Sequence, residues 1–191
     1  MTRRRLPSMR LVIDTNVLRG ASRTAGATPP GSTLREVLAT VLGICHRAVV
    51  SPQLAREYRQ PASTYGERWL SAMHRKGKVA SVDAKETKRA RRWKQSPALV
   101  SDAQRAALEK DLHLVLAAME ADGVVVSCET NVRDLLRKVM TEEDVANLGW
   151  ALVDSKTVAW LTSGALRAAV PLDARAPPAR RSRSRRGQRG G

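Results

Sequence analysis

Four acidic residues lie at positions where an α/β chain could use them for metal chemistry. They are Asp14, Glu57, Asp111 and Glu129. Asp14 and Glu129 follow predicted strands, Glu57 lies in a predicted helix, and Asp111 is at the predicted start of another. If the sheet is parallel, all four side chains can converge above its carboxyl edge, where such sheets bind ligands. Because clustered carboxylates repel one another, the cluster favours a bound cation. Oxygen ligands select Mg²⁺ or Mn²⁺, and such an ion can activate water against a phosphate. The chemistry indicated is phosphodiester hydrolysis.

The elements that would position these acids alternate between strand and helix patterns. Short apolar runs at 10–13 and 124–127 predict buried strands that end near Asp14 and Glu129. Shorter strands are expected at 48–50 and 150–153, and a helix carrying Glu57 starts at Ser51-Pro52. Two further helices are expected over 65–76 and 84–95, and Asp111 heads a long amphipathic helix. This alternation predicts an α/β fold, a three-layer α/β/α sandwich with a mainly parallel central sheet.

The charge points to a polyanionic partner. The formal net charge is +16, and removing the seven arginines of residues 174–191 still leaves +9. A second basic segment, 75–94, carries nine Lys or Arg against two acids. A basic helix can also be only a solvated face, but nucleic acid is the expected partner. The candidate contacts in this segment are Lys85, Lys88, Arg89, Arg91, Arg92 and Lys94.

Composition predicts one folded domain with loose ends. We expect a basic arm at 1–9, a domain at 10–170 with a basic helical insertion at about 75–95, and a disordered Arg-rich tail at 171–191. The two cysteines, Cys45 and Cys128, support no disulfide framework, so we expect a cytoplasmic protein. No apolar run approaches the roughly 20 residues of a membrane span, so no membrane partner is expected.

Four segments in order resemble the PIN-domain family, which includes the VapC-type ribonuclease toxins of toxin–antitoxin modules. The segments are Val12-Ile13-Asp14-Thr15-Asn16-Val17-Leu18, Leu54-Ala55-Arg56-Glu57-Tyr58, Asp111-Leu112-His113-Leu114-Val115-Leu116-Ala117-Ala118, and Val125-Val126-Ser127-Cys128-Glu129 with Val132-Arg133-Asp134-Leu135-Leu136. The closing parts Trp150-Ala151-Leu152-Val153 and Trp160-Leu161 with Gly164-Ala165 also fit. The resemblance covers about residues 10–166.

The resemblance implies a PIN-like nuclease domain and assigns roles to individual residues. It implies that Mg²⁺ or Mn²⁺ is held by the four acids, which would be both metal ligands and catalytic residues, in a metal-dependent endoribonuclease. Supporting roles are implied for Asn16, Asn131 and Asp134. RNA is the implied substrate, with DNA left open. A cognate antitoxin and a homodimer are implied partners. Independently of the family, the hydroxyls of Thr15 and Ser127 are candidates to orient a water or a phosphate.

One departure from the family supports an alternative. The family usually has Asp where this chain has Glu129, and the added methylene moves the carboxylate by more than ~1 Å, an error that can cost about a hundredfold in rate. Asp134, one helical turn along, is a candidate substitute. The alternative is a catalytically weakened PIN-like module that binds nucleic acid or protein. A phosphoacceptor domain with an acidic Mg²⁺ pocket is a second rival, but the chain lacks the expected Lys at a later strand end.

Several of these residues also have ordinary structural interpretations. Asp14 could cap a strand end, Glu57 could be a surface glutamate, and Asp111 could cap its helix, because acids are favoured in a first helical turn. Asp134 could be solvated or paired with a neighbouring base. His113 falls on a different helical face from Asp111 and is expected to be structural.

Overall fold

The computed structural model of the protein describes residues 8–23, 26–60 and 63–172. Strands and helices alternate along these ranges. The strands are β1 (Arg10–Ile13), β2 (Arg47–Val50), β3 (Val79–Ser81), β4 (Val124–Ser127) and β5 (Gly149–Leu152). The helices are α1 (Thr15–Gly20), α2 (Gly31–Gly43), α3 (Pro52–Tyr58), α4 (Thr64–Arg75), α5 (Lys88–Lys94), α6 (Asp102–Met119), α7 (Asn131–Val139), α8 (Glu142–Ala146) and α9 (Thr157–Thr162), followed by a 3₁₀ turn at Arg167–Ala169.

The strands form one all-parallel sheet in the order β3-β2-β1-β4-β5. The central strand is β1, in which Val12 pairs with Val49 of β2 and with Val125 of β4. The chain passes from β1 to β2 on one side and reaches β4 on the other side only later. The carboxyl end of β1 is therefore a switch point, the place where open α/β sheets bind ligands. The prediction of an α/β fold with a parallel sheet is confirmed.

Helices cover both faces of the sheet. Leu11, Val12 and Ile13 are all fully buried, although successive side chains of a strand point to opposite faces. One group of helices packs together as α2, α4 and α9, and another as α5, α6 and α7. The core is therefore a sheet between helices, and β1 lies at its centre.

Two serine caps set the start of the helices that carry Glu57 and Asp111. The Ser51 hydroxyl accepts a hydrogen bond from the Leu54 N–H at 3.2 Å, and α3 begins as predicted. Ser101 caps α6, which begins at Asp102 and places Asp111 in mid-helix. The prediction that Asp111 heads this helix is therefore wrong, and so is its interpretation as a cap. The start of α6 was missed because the first half of the helix is polar and has no apolar stripe.

The basic segment is not purely helical. Between α4 and α5 lies β3, which pairs with β2 and forms one edge of the sheet. The Thr87 hydroxyl caps α5, so this helix begins at Lys88 rather than at Ala84. The strand was missed because three residues are too few to show an alternating pattern.

The predicted terminal segments fall largely beyond the described ranges. The basic arm at 1–9 is described only from residue 8, and the tail at 171–191 only to residue 172. Over the described ranges, no helix combines the length and the apolar character needed to cross a membrane.

Candidate active site

A cleft of about 250 Å³ lies at the carboxyl end of the sheet, beside the end of β1. It brings together all four acids selected from the sequence. Its lining consists of Asp14, Thr15, Asn16, Arg19, Glu57, Gln60, Lys110, Asp111 and Glu129. These residues come from four separate places in the chain, which the parallel sheet and its helices bring to one edge.

Asp14 occupies the turn between β1 and α1. Its backbone N–H continues the sheet by donating to the Val126 carbonyl at 2.9 Å. Its Oδ1 accepts the Asn16 N–H at 3.1 Å, so Asp14 does cap α1. Burial raises the pKa of Asp14 to about 6, and the carboxylates of Asp111 and Glu129 add to this increase. The residue that caps α1 therefore has a carboxyl group whose pKa lies closer to neutral pH than usual.

Ser127 holds Asp14 from the neighbouring strand. Its fully buried hydroxyl donates to Asp14 Oδ2 at 2.7 Å and accepts the Glu129 N–H at 3.0 Å and the Asn16 side-chain amide at 3.4 Å. Asn16 in turn accepts the Cys128 N–H at 3.2 Å. The sequence suggested that Ser127 could orient a water or a phosphate. Its buried hydroxyl instead makes three hydrogen bonds within the chain, and it supports Asp14. Asn16, for which the resemblance implies a supporting role, thus lies beside Asp14 and contacts both Ser127 and Cys128.

Glu57 faces the cleft from α3. Its Oε2 accepts the Thr15 hydroxyl at 3.0 Å, and its Oε1 lies 3.1 Å from His113 Nε2. The next residue, Tyr58, is buried and donates its hydroxyl proton to the Ile13 carbonyl. Tyr58 therefore anchors α3 to the end of β1, and the helix places Glu57 beside Asp14.

Asp111 and Glu129 complete the acidic lining. Burial raises the pKa of the Asp111 carboxyl, Lys110 opposes this shift, and Glu129 adds to it. Glu129 is exposed, but its backbone is fixed, because its N–H reaches Ser127 and its carbonyl accepts the Trp150 indole N–H at 3.1 Å. Glu129 therefore has a hydrogen-bonded backbone and a solvent-exposed carboxylate.

Two predicted supporting residues do not line the cleft. Asn131 is the first residue of α7, and Asp134 lies half-exposed in the first turn of that helix. Asp134 forms an ion pair with Arg133 at 2.9 Å. The pairing with a neighbouring base matches the ordinary interpretation of Asp134, and the carboxylate that reaches the cleft from this region is Glu129.

Sequence reasoning missed three residues that line the cleft. Arg19, Gln60 and Lys110 line the cleft, and Arg19 donates to the Gln60 side-chain oxygen at 3.1 Å. The only signal for Lys110 was its place beside Asp111. His113 does lie on a different face of α6 from Asp111, but that face meets Glu57. Its contact depends on how α3 packs on α6, which no local pattern encodes.

The predicted nucleic-acid contacts lie on or just before α5, and none of the six lines the cleft. Four of them pair with acids of this chain. The pairs are Lys85 with Asp83 at 2.7 Å, Arg89 with Asp144 at 2.7 Å, Arg91 with Glu86 at 3.6 Å, and Lys94 with Glu86 at 2.5 Å and with Glu109 at 3.3 Å. Lys88 and Arg92 form no ion pair within the described part of the chain. Much of this charge is thus neutralised internally.

The donors around the cleft fit a hard divalent cation by their chemistry. All four acids are carboxylates, and burial has raised the pKa of two of them, Asp14 and Asp111. A cation would offset the cost of keeping such groups ionised. In the described ranges, however, no three His, Cys, Asp or Glu side chains are grouped closely enough to hold one ion. The carboxylates share a cleft without converging on a single point.

Comparison with known proteins assigns no family to this chain. No protein-family profile, no curated protein and no solved structure matches it. Functional inference therefore rests on the geometry of the cleft and on the residues that line it.

Proposed function

We propose that the protein is a metal-dependent ribonuclease of the PIN-domain type, which hydrolyses RNA phosphodiester bonds. The observation that carries the proposal is the gathering of Asp14, Glu57, Asp111 and Glu129 around one cleft at the switch point of a parallel sheet. Acids at such a place have a high cost unless they serve a ligand. The coincidence of all four with the segments that resemble the family supports the PIN assignment.

The carboxylates that line the cleft would supply the ligands of Mg²⁺ or Mn²⁺. When bound, such an ion activates water and neutralises charge at the phosphate. Other residues of the chain hold the carboxylates in position. Ser127 and the Asn16 N–H hold Asp14 in place, and Thr15 holds Glu57. Because the pKa of Asp14 is about 6, its carboxyl is mostly ionised, and ready to act as a ligand, only above that pH.

RNA binding is supported by charge at two places. Arg19 and Lys110 flank the carboxylates in the cleft, where they can contact the phosphates next to the cleaved bond. Lys88 and Arg92 of α5 are the members of the basic segment without an acidic partner in the described ranges, so they are its best candidates for the RNA backbone. The +16 charge of the whole chain adds nonspecific attraction, with DNA as a second polyanion to test.

The second candidate function is a weakened PIN-like module that binds nucleic acid or a protein. Two observations favour it: no three ligand side chains in the described ranges converge as a metal site, and Glu129 stands where the family usually has Asp. In this case loss of the Asp14 carboxylate leaves function intact. A toxin role adds two proposals, a cognate antitoxin that covers the acidic cleft and a homodimer, which affinity capture and sedimentation would test.

The deciding experiment is cleavage of labelled single-stranded and structured RNA with Mn²⁺, Mg²⁺ or EDTA. Wild type is compared with Asp14→Asn and with Asp134→Asn, a matched variant outside the cleft. The nuclease proposal expects metal-dependent cutting that Asp14→Asn loses and Asp134→Asn keeps. A well-folded wild type that binds RNA but does not cut it would establish the binding module instead. Cutting that survives in Asp14→Asn would exclude this cleft.

A further inference from the structure

A groove separate from the acidic cleft lies between α5 on one side and α8, with the end of α7, on the other. We call it the α5–α8 groove. Its volume is about 540 Å³, within the roughly 300–1,000 Å³ of small-ligand sites. Its lining includes Arg89, Arg92, Trp93, Gln95, Glu143 and Asp144. The groove and the acidic cleft share no lining residue.

The groove lies at the opposite end of α7 from the acidic cleft. Glu129 of the cleft comes just before α7, which begins at Asn131, whereas Val139, the last residue of α7, lines the groove. A helix rises about 1.5 Å per residue, so the two ends of α7 are roughly 12 Å apart. Neighbouring nucleotides of a stacked strand are about 3.4 Å apart, so an RNA strand of a few nucleotides is long enough to span this distance.

Trp93 is the one tryptophan whose indole N–H has no hydrogen-bond partner in the described part of the chain. The indole groups of the other three donate to backbone carbonyls, Trp69 to Leu38, Trp150 to Glu129 and Trp160 to Leu166. Trp93 is only 3% exposed, and it lines the groove. Because a buried indole N–H usually has a partner, this unused donor indicates that the groove takes a ligand.

The charged groups of the groove are only partly neutralised. Arg89 pairs with the buried Asp144 carboxylate at 2.7 Å. Arg92 and Glu143 are exposed at the groove, and neither forms an ion pair within the described residues. Gln95 adds a side-chain amide, which can both donate and accept hydrogen bonds. The groove therefore offers a free cation together with hydrogen-bond donors and acceptors.

This combination fits a nucleotide better than a phosphate alone. A phosphate only accepts hydrogen bonds, so it would use Arg92 and the Trp93 N–H but would be repelled by Glu143. A nucleobase carries both donors and acceptors, and its phosphate supplies the negative charge for Arg92. Proteins read single-stranded RNA mainly through unstacked bases that form hydrogen bonds with side chains.

We propose that the α5–α8 groove binds one unstacked nucleotide of single-stranded RNA. The base lies between α5 and α8 and accepts a hydrogen bond from the Trp93 indole N–H, and the phosphate lies at Arg92. The proposal rests on the proposed function only for its consequence, that the strand held in the groove is the strand cut in the acidic cleft. Binding in the groove needs no metal and can be measured without cleavage.

The first measurement follows the indole N–H signals of the full chain by ¹⁵N–¹H NMR in EDTA. The chain has four tryptophans, and loss of one signal in each Trp→Phe variant assigns them. Titration with a short single-stranded RNA should shift the Trp93 signal and slow its exchange with solvent, and should leave the Trp69 signal in place. A Trp93 signal that RNA does not shift would overturn the proposal.

The same titration with other probes identifies the ligand. Inorganic phosphate and an abasic strand of the same length should leave the Trp93 signal unshifted. The four ribonucleoside monophosphates should shift it at concentrations at least about tenfold higher than RNA, because a strand adds phosphate contacts elsewhere. An equal shift by phosphate or by the abasic strand would overturn recognition of a base. A monophosphate that binds as tightly as the strand would overturn the RNA subsite in favour of a site for free nucleotides.

The second measurement compares Trp93→Phe with Trp69→Phe. Both tryptophans are 3% exposed, so the two changes remove the same buried ring atoms and differ in the hydrogen bond that is lost. Trp93→Phe should weaken RNA binding about threefold to tenfold, as measured by fluorescence polarisation in EDTA. Trp69→Phe should leave RNA binding unchanged and should raise the unfolding equilibrium constant about tenfold more than Trp93→Phe, because the Leu38 carbonyl loses its donor. Equal RNA affinity in all three proteins, or equal losses in both variants, would overturn the proposal.

Cleavage kinetics separate failure of this proposal from failure of the proposed function. Because the groove is remote from the acidic cleft, Trp93→Phe should raise KM and leave kcat unchanged. A Trp93 signal that shifts with RNA in a protein that does not cut supports the groove and removes the nuclease. Metal-dependent cutting by a wild type whose Trp93 signal does not respond to RNA overturns the groove and leaves the nuclease standing.

Discussion

The hydroxyl of Ser127 donates a hydrogen bond to the carboxylate of Asp14 across the ends of two adjacent strands, with 2.7 Å between Oγ and Oδ2. The register makes this contact possible, since Ile13 pairs with Val126 and the next residue of each strand lies alongside. The hydrogen bond lowers the pKa of Asp14 against the larger effect of burial. Ser127 thus moderates the proton affinity of the most buried acid in the cleft.

Replacing Ser127 by Ala should therefore raise the pKa of Asp14 above its value of about 6. The acidic limb of the pH–activity profile should move to higher pH. Stability should fall by about 1–3 kcal/mol, because the amides of Asn16 and Glu129 lose their acceptor. A pH series of initial cleavage rates measures the first effect. Ser163→Ala, which removes an exposed hydroxyl far along the chain, should change neither.

Asp14 should make the metal-free protein less stable as the pH rises. The pKa is about 6 in the folded state against an ordinary 3.8, so the folded state holds its proton longer. Stability from this group is highest below about pH 4 and falls between about pH 4 and 6. Relative to wild type, Asp14→Asn should gain on the order of 2 kcal/mol between pH 4 and 7.5. Urea unfolding in EDTA at both pH values gives the difference; a difference that does not change with pH would contradict the prediction.

Shortening Glu129 to Asp tests the departure from the family pattern. The backbone at this position is fixed by Ser127 and Trp150, so the change moves only the carboxylate. If the family geometry applies, Glu129→Asp should bind Mn²⁺ more tightly and raise the cleavage rate by about tenfold or more, since misplacement of about 1 Å can cost a hundredfold. Glu129→Gln is the isosteric control and should lose affinity. A slower Asp variant would show that the longer side chain is the working ligand.

The basic residues in the cleft should govern the salt dependence of RNA binding. Arg19→Gln and Lys110→Gln should each weaken binding to single-stranded RNA and reduce the slope of log affinity against log salt by about 0.7. Fluorescence polarisation in EDTA at several salt concentrations measures the slope without cleavage. The control is Lys138→Gln, in the last turn of α7 and outside the cleft lining. This variant should keep the wild-type slope of log affinity against log salt. Equal slopes in all four proteins would remove the cleft from the RNA path.

Substitution of two arginines of α5, Arg89 and Arg92, should have different effects, one on stability and the other on RNA binding. Asp144 is only 2% exposed and pairs with Arg89 at 2.7 Å, so Arg89→Gln leaves a buried carboxylate without its charged partner. We expect a loss of about 1–3 kcal/mol in unfolding free energy. Arg92→Gln, without an acidic partner in the described ranges, should keep stability and weaken RNA binding. Thermal unfolding and polarisation of the two variants decide between the roles.

The sequence predicted the parts of the site that follow from strand ends. Asp14 and Glu129 come after apolar runs, and a parallel sheet places such positions at one edge. Glu57 was found because Ser51 and Pro52 mark the start of its helix. Local pattern was therefore enough for these three residues, but it misplaced Asp111, whose helix begins earlier, at Asp102.

The missed features depend on how elements pack on one another. The contact between His113 and Glu57 exists because α3 lies against α6, and the pairing of Arg89 with Asp144 because α5 lies near α8. Neither has a local signal. Composition also gives no sign that three bases of α5 pair with acids of this chain, since those acids are spread from Glu86 to Asp144.

The central position of β1 sets the order in which the cleft can form during synthesis. Its two neighbours are β2 at residues 47–50 and β4 at 124–127, so the Asp14–Ser127 contact joins residues 113 positions apart. A nascent chain that has made Asp14 and Glu57 still lacks the strand that buries Asp14. Closing so long a loop is costly in chain entropy and slow. The cleft therefore forms late, and a chain truncated just before β4 carries Asp14, Glu57 and Asp111 but lacks the strand that buries Asp14.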